Sequence, residues 1–163
     1  MFPCDFMSEL PESSLIRKTF IIRTMDFPPN IKLTKRSLLR WFALAFGLIS
    51  EKESRTTVLD VLDALFYLNL SKKSNPTVPN IQEFIKKKSS KTISEKLLRY
   101  HLNRMKETDL LIKKKQAYLF NPAPFAERDD LKASFNYYIT KNINQTLTNL
   151  EDVFFQLSLS YKK

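Results

Sequence analysis

Lys96, Arg99, Tyr100 and Asn103 recur at helical spacing, and behind them Leu98, Leu102 and Met105 form an apolar stripe. A helix patterned this way is gripped by its back and presents long polar side chains at its front. That front suits base-pair edges: Arg and Lys donate to guanine, and Asn pairs bidentately with adenine. Tyr100 can bond to phosphate or stack. Arg104 flanks the face, and Leu97 points partly outward, to meet a thymine methyl or pack on the preceding helix. Ahead of the helix, Ser90, Lys91 and Thr92 lie where backbone N–H groups and the helix dipole favour phosphate. After it, Lys113, Lys114 and Lys115 mark the middle of LLIKKKQAYLF (Leu110 to Phe120), whose apolar ends predict a short two-stranded hairpin. A basic tip there would lie on a phosphate backbone or in a minor groove.

Charge supports the same chemistry. The 163 residues carry 27 Lys+Arg against 17 Asp+Glu, a net +10. From Lys86 to Lys115, nine Lys and two Arg meet three acids, so +8 of that excess lies in one stretch. From Ala126 onward, five basic and five acidic residues cancel. A concentrated cationic stretch implies a polyanionic partner, nucleic acid or an anionic membrane surface.

Other chemistries are excluded by composition. Gly occurs once, at Gly47, so neither a P-loop nor a dinucleotide-binding fingerprint is present. One Cys (Cys4) and one His (His101) exclude a zinc finger and a disulfide framework. His101 reads as a structural histidine. Asp60 and Asp63, one helical turn apart, read as a solvated helix face. No Ser sits in a nucleophile elbow. The expectation is a protein without catalytic machinery, metal or cofactor.

The elements that must position these residues follow from periodicity. Residues 1–33 are interrupted by Pro3, Pro11, Pro28 and Pro29, and Ser14 to Met25 reads either as one strand or as an extended arm. Thr34 is the N-cap of a helix that continues to about Ile49. From Trp41 onward it is apolar all round, for burial in a core or a subunit interface. Val58, Leu62, Leu65 and Phe66 mark a second helix. Ile81, Phe84 and Ile85 mark a third, from Asn80 to about Lys88, after a loop at Asn75–Pro79. Ser94 caps the basic helix, and Asn121-Pro122-Ala123-Pro124 ends the hairpin. Two helices joined by a short break and followed by two strands predict a helix-turn-helix with a wing.

At these residues the chain resembles a known family. ISEKLLRYHLNRMKETDLLIKK is similar to the recognition helix and first wing strand of the ArsR/MarR-type winged-helix transcriptional regulators. There a Ser opens the helix, a His-Leu pair follows, and a Leu-rich end leads into the wing; here these are Ser94, His101-Leu102, Met105 and Leu110-Leu111. The resemblance covers about Thr56 to Phe120. It implies homodimeric binding to operator DNA, with the outward residues of the Ser94–Lys106 helix in the major groove. Two features depart from the pattern. Asp109 stands where the family usually has Gly, a position needing a left-handed turn that Asp tolerates. The wing tip has no Gly, so its turn should be tight or irregular.

The last element predicts a long helix. Leu131, Phe135, Ile139, Ile143, Leu147, Leu150, Phe154, Leu157 and Tyr161 form one stripe, with alternating steps of three and four in its second half, as in a coiled-coil seam.

The expected architecture is mainly α. Segment 1–33 is an arm, 34–121 a winged helix-turn-helix domain (three-helix core plus β-hairpin wing) with an extra helix before it, and 122–163 a homodimerisation helix. The expected activity is sequence-specific binding of double-stranded DNA in transcriptional regulation. Lys96, Arg99, Tyr100 and Asn103 would read bases; Ser90, Lys91, Thr92, Arg104, Lys113, Lys114 and Lys115 would hold phosphates. A protein–protein assembly module docking through helix 35–49 and the C-terminal helix is the alternative, and RNA binding a third. With one unpaired Cys and no apolar run beyond the nine residues Trp41–Ile49, the expected setting is cytoplasmic, with no membrane partner.

Overall fold

The computed structural model describes residues 10–52 and 56–162. Within them the chain is mainly helical, with one two-stranded antiparallel sheet. The centre is Thr57–Phe66 (α2). Val58, Leu59, Val61, Leu62, Ala64 and Leu65 are each exposed by 2% or less, because partners close on the helix from several sides. Those partners are Lys35–Ala45 (α1), Val78–Ser89 (α3), Glu95–Glu107 (α4) and the second strand of the hairpin.

Helix α1 starts as its sequence predicts: Thr34 Oγ1 accepts from the Ser37 N–H at 3.0 Å. It ends four residues earlier than periodicity suggests, at Ala45. The chain turns at Gly47, with φ +69°, and the N–H groups of Leu48 and Gly47 reach back to the carbonyls of Ala43 (2.8 Å) and Leu44 (3.2 Å). This pairing closes a helix around a left-handed residue. A Cβ at position 47 would lie 2.7 Å from Ile21 Cβ, so only glycine fits there. Phe46, Leu48 and Ile49 are still buried, but from a loop. The helix surrounded by core is therefore α2 rather than the run after Trp41.

The N-terminal segment forms no strand among its described residues. Short 3-10 turns at Pro11–Leu15 and Pro29–Leu33 flank an irregular arm. The Arg23 backbone N–H donates to the Ala45 carbonyl at 2.8 Å, and its guanidinium donates to Leu44 and Ile49 carbonyls, both at 2.7 Å. Trp41 Nε1 donates to the Asp26 carbonyl at 2.8 Å. Lys18 forms an ion pair with Asp109. Cys4 and Pro3 lie outside the described residues.

Helix α3 begins at Val78, two residues before the predicted start, since Pro79 fits a first helical turn. Thr77 and Asn80 form a reciprocal cap, with the Thr77 N–H donating to Asn80 Oδ1 at 2.9 Å. The loop before it is partly extended. Thr77 bridges antiparallel to Ala117, and the Tyr118 N–H donates to the Pro76 carbonyl at 2.8 Å. Strands Leu111–Lys114 (β1) and Ala117–Phe120 (β2) pair with Leu111 opposite Phe120 and Lys114 opposite Ala117. Lys115 and Gln116 form the turn with φ 47° and 72°, the sign that two-residue hairpin turns require, here without glycine.

Leu131–Phe135 (α5) and Lys141–Tyr161 (α6) are joined by a π-helical turn at Asn136–Thr140. Four successive apolar steps of four residues, from Leu131 to Leu147, would drift around a regular α-helix. The wider π turn corrects that drift and keeps the stripe on one side. Ile139 is 1% exposed and belongs to the same core as α1–α4, so the first part of this rod is not separate from the preceding segment. Residues 144–162 are exposed throughout.

Candidate nucleic-acid interface

Helix α4 opens with Ser94, whose Oγ accepts from the Leu97 N–H at 3.2 Å. Leu98, Leu102 and Met105 have no exposed surface, and Ile93 just ahead of the helix is buried as well. Gln82 ties the entry to α3 by donating to the Ile93 carbonyl at 3.0 Å. The exit is set by Asp109 at φ 62°, with the Leu110 N–H returning to the Met105 carbonyl at 3.1 Å. Both ends and the back are thus fixed by local structure. The front is open: Lys96, Tyr100 and Asn103 are exposed, with Leu97 at 39% among them.

The predicted base readers are not equivalent. Arg99 is half-buried and bound to Glu95 one turn earlier, with Nε and one terminal nitrogen at 2.9 and 2.8 Å from the same carboxylate oxygen. That hydrogen bond raises the Arg99 pKa, so the guanidinium stays charged but is engaged. Lys96, Tyr100 and Asn103 have no such restraint within the helix front.

Arg104 corrects its prediction. Instead of facing a phosphate, its guanidinium donates to the carbonyls of Gly47 (2.7 Å) and Leu48 (2.9 Å). These carbonyls lie in the loop after α1, and Arg104 holds that loop to α4. It also stacks 5.7 Å from the Tyr100 ring centre, setting the base of that side chain's reach. His101 is half-buried, edge-on to Tyr100 with ring centres 5.4 Å apart.

The predicted phosphate contacts fall at two ends of this face. Ser90, Lys91 and Thr92 form the exposed turn between α3 and α4, with Ser90 at φ 57°. Lys91 lies 3.8 Å from Asp60, which also accepts from Arg36 at 3.2 Å. Asp63 takes Lys88 at 2.5 Å. Asp60 and Asp63 are therefore not a solvated face; their side chains are 13% and 20% exposed and anchor cations at the α3 end. In the hairpin, Lys113 is half-buried with its ammonium 5.7 Å from the Tyr118 ring centre, while Lys114 and Lys115 are exposed.

Lys106, also exposed on α4, escaped the site prediction, as did Lys86 on α3. The only available signal was the charge run itself. On α4 and the hairpin tip, Lys96, Lys106, Lys114 and Lys115 are exposed and outside any ion pair, as are Lys86 and several cations elsewhere on the described surface.

No cluster of three or more metal-ligating side chains occurs among the described residues. No described helix is long and apolar enough to cross a membrane. No protein-family model, curated protein or solved structure matches the chain.

Proposed function

We propose that this protein is a winged-helix module that binds double-stranded DNA, with α4 in the major groove and the β1–β2 hairpin as its wing. The observation that carries this reading is the two-sidedness of α4. Its back is wholly buried on Leu98, Leu102 and Met105, while its front offers Lys96, Tyr100 and Asn103. A recognition helix needs that combination, because base discrimination demands polar groups held in one position before the duplex arrives. Helix α2, helix α3, the Thr77 bridge and the hairpin stand around α4 in the order such a module uses. Lys114 and Lys115 supply phosphate contacts from the wing, and Ser90, Lys91 and Thr92 supply them from the α3–α4 turn. In this role the chain acts as a transcriptional regulator.

A module devoted to protein assembly is the competing reading. It loses one of its two docking faces, since Leu39, Ala43, Phe46, Leu48 and Ile49 are used in the chain's own core. Selection of bound fragments from a random duplex library tests the proposal. The expected result is one enriched sequence whose preference relaxes at one base position when Asn103 becomes Ala. Recovery of unrelated fragments by the wild-type protein would refute it.

A further inference from the structure

We infer that α6 pairs antiparallel with α6 of a second copy of this chain, each helix laying its last turns into a groove between the other's N-terminal arm and proximal α6. The sequence pattern predicts pairing through this helix; orientation, register and the part taken by the arm come from the structure. None of this depends on how α4 is read.

The groove has a volume of about 830 Å³. Leu15, Ile16 and Ile22 line one side from the arm, and Ile143 and Leu147 the other from α6. Leu15, Ile16 and Ile22 are 75%, 68% and 50% exposed, an apolar surface that the described residues leave uncovered. Beyond it, Leu150, Phe154, Leu157 and Tyr161 continue the stripe and are 59%, 79%, 49% and 87% exposed. Contiguous apolar surface of this extent is uncommon on a chain that works alone.

A second copy fits because the stripe is nearly symmetric about Leu150. Placing Leu150 on a two-fold axis puts Leu147 opposite Val153 of the other copy, with Phe154 one residue beyond, and Ile143 opposite Leu157. Ile143, Leu147 and Leu150 then each face an apolar residue, and the paired span is about 21 Å long. The same register lays Phe154, Leu157 and Tyr161 of one copy over the arm groove of the other. A two-fold contact of this kind is self-complementary and closes. Parallel pairing would also align the stripe with itself, but both grooves would stay empty. Leu15, Ile16, Ile22 and the five stripe residues of α6 from Ile143 to Leu157, at on the order of 100 Å² each, give a two-copy total near the ~1,600 Å² of a stable interface.

Sedimentation of the full chain should show a dimer at micromolar concentration. Leu157→Glu, and separately Ile16→Glu, should each weaken it by about tenfold or more without loss of helical circular dichroism, since both side chains are exposed in the single chain. Orientation is read by oxidation in a Cys4→Ser background. Leu150→Cys should cross-link to its own copy, and Leu157→Cys should not. A monomeric wild type, efficient cross-linking through Leu157→Cys, or a dimer indifferent to Ile16→Glu would each overturn the inference. A monomer that still selects one DNA sequence would overturn this inference alone.

Discussion

Helix α4 and the distal half of α6 both turn a full face to solvent, and the two faces have opposite chemistry. On α4 the exposed residues are Lys96, Tyr100, Asn103 and Lys106, over a back whose Leu98, Leu102 and Met105 are sealed in the core. On α6 the exposed residues include Leu150, Phe154 and Leu157, and residues 144–162 are exposed throughout. A polar face on a rigid support is ready for a hydrated, charged ligand whose recognition is directional. An apolar face without support gains from contact with another apolar face, and area rather than direction sets the strength. Under the proposed function, one small chain would separate what it reads from what holds it in an assembly.

The sharpest way to test that contrast is to truncate one leucine in each helix. Leu102→Ala leaves a cavity in a closed core and should cost about 2–5 kcal/mol in urea unfolding, whereas Leu159→Ala, 43% exposed, should cost far less. Equal losses would mean that α6 is supported in the single chain after all.

Arg104→Ala comes next. It removes two charge-assisted hydrogen bonds to the loop after α1, and about 1.5–3 kcal/mol of stability should go with them. The salt dependence of DNA binding should keep its slope, because Arg104 is not counted among the phosphate contacts. A flatter slope with unchanged stability would restore it as a DNA ligand.

Asn103→Ala should cost about 1–3 kcal/mol on the preferred duplex and relax one base position. Glu95→Gln offers a finer probe. It releases Arg99 from its partner, and binding to all duplexes should tighten modestly in fluorescence anisotropy. The smallest effect belongs to the wing: Lys115→Ala should lower the slope of log K against log salt by about one, with no change in sequence preference.

Much of the architecture was legible because it is local. Thr34 and Ser94 announce helix starts by their own side chains, and Asp109 adopts the left-handed turn expected at a position that ordinarily takes Gly. The stripe of Leu98, Leu102 and Met105 identified the back of α4 from spacing alone. The end of α1 was also written locally, in Gly47, but the apolar run that follows masked it. The π turn before α6 had its signal in the repeated steps of four.

What was not legible depends on residues far apart in sequence. Arg104 looks like any basic helix residue until the loop carbonyls of Gly47 and Leu48 arrive beside it. Asp60 and Asp63 look solvated until the α3 end brings Lys88 and Lys91 to them. The sequence reading assigns Arg104 and Lys91 to phosphates, whereas tertiary packing brings both, with Lys88, to partners within the protein itself.

The central claim is that the front of α4 distinguishes one duplex from another. Its most direct test is a salt titration of affinity for a selected duplex and for a scrambled one of equal length, with wild type and Asn103→Ala side by side. The account predicts a gap of several decades for the wild type that narrows in the variant, with parallel salt slopes. Equal wild-type affinity for both duplexes at every salt concentration would contradict it.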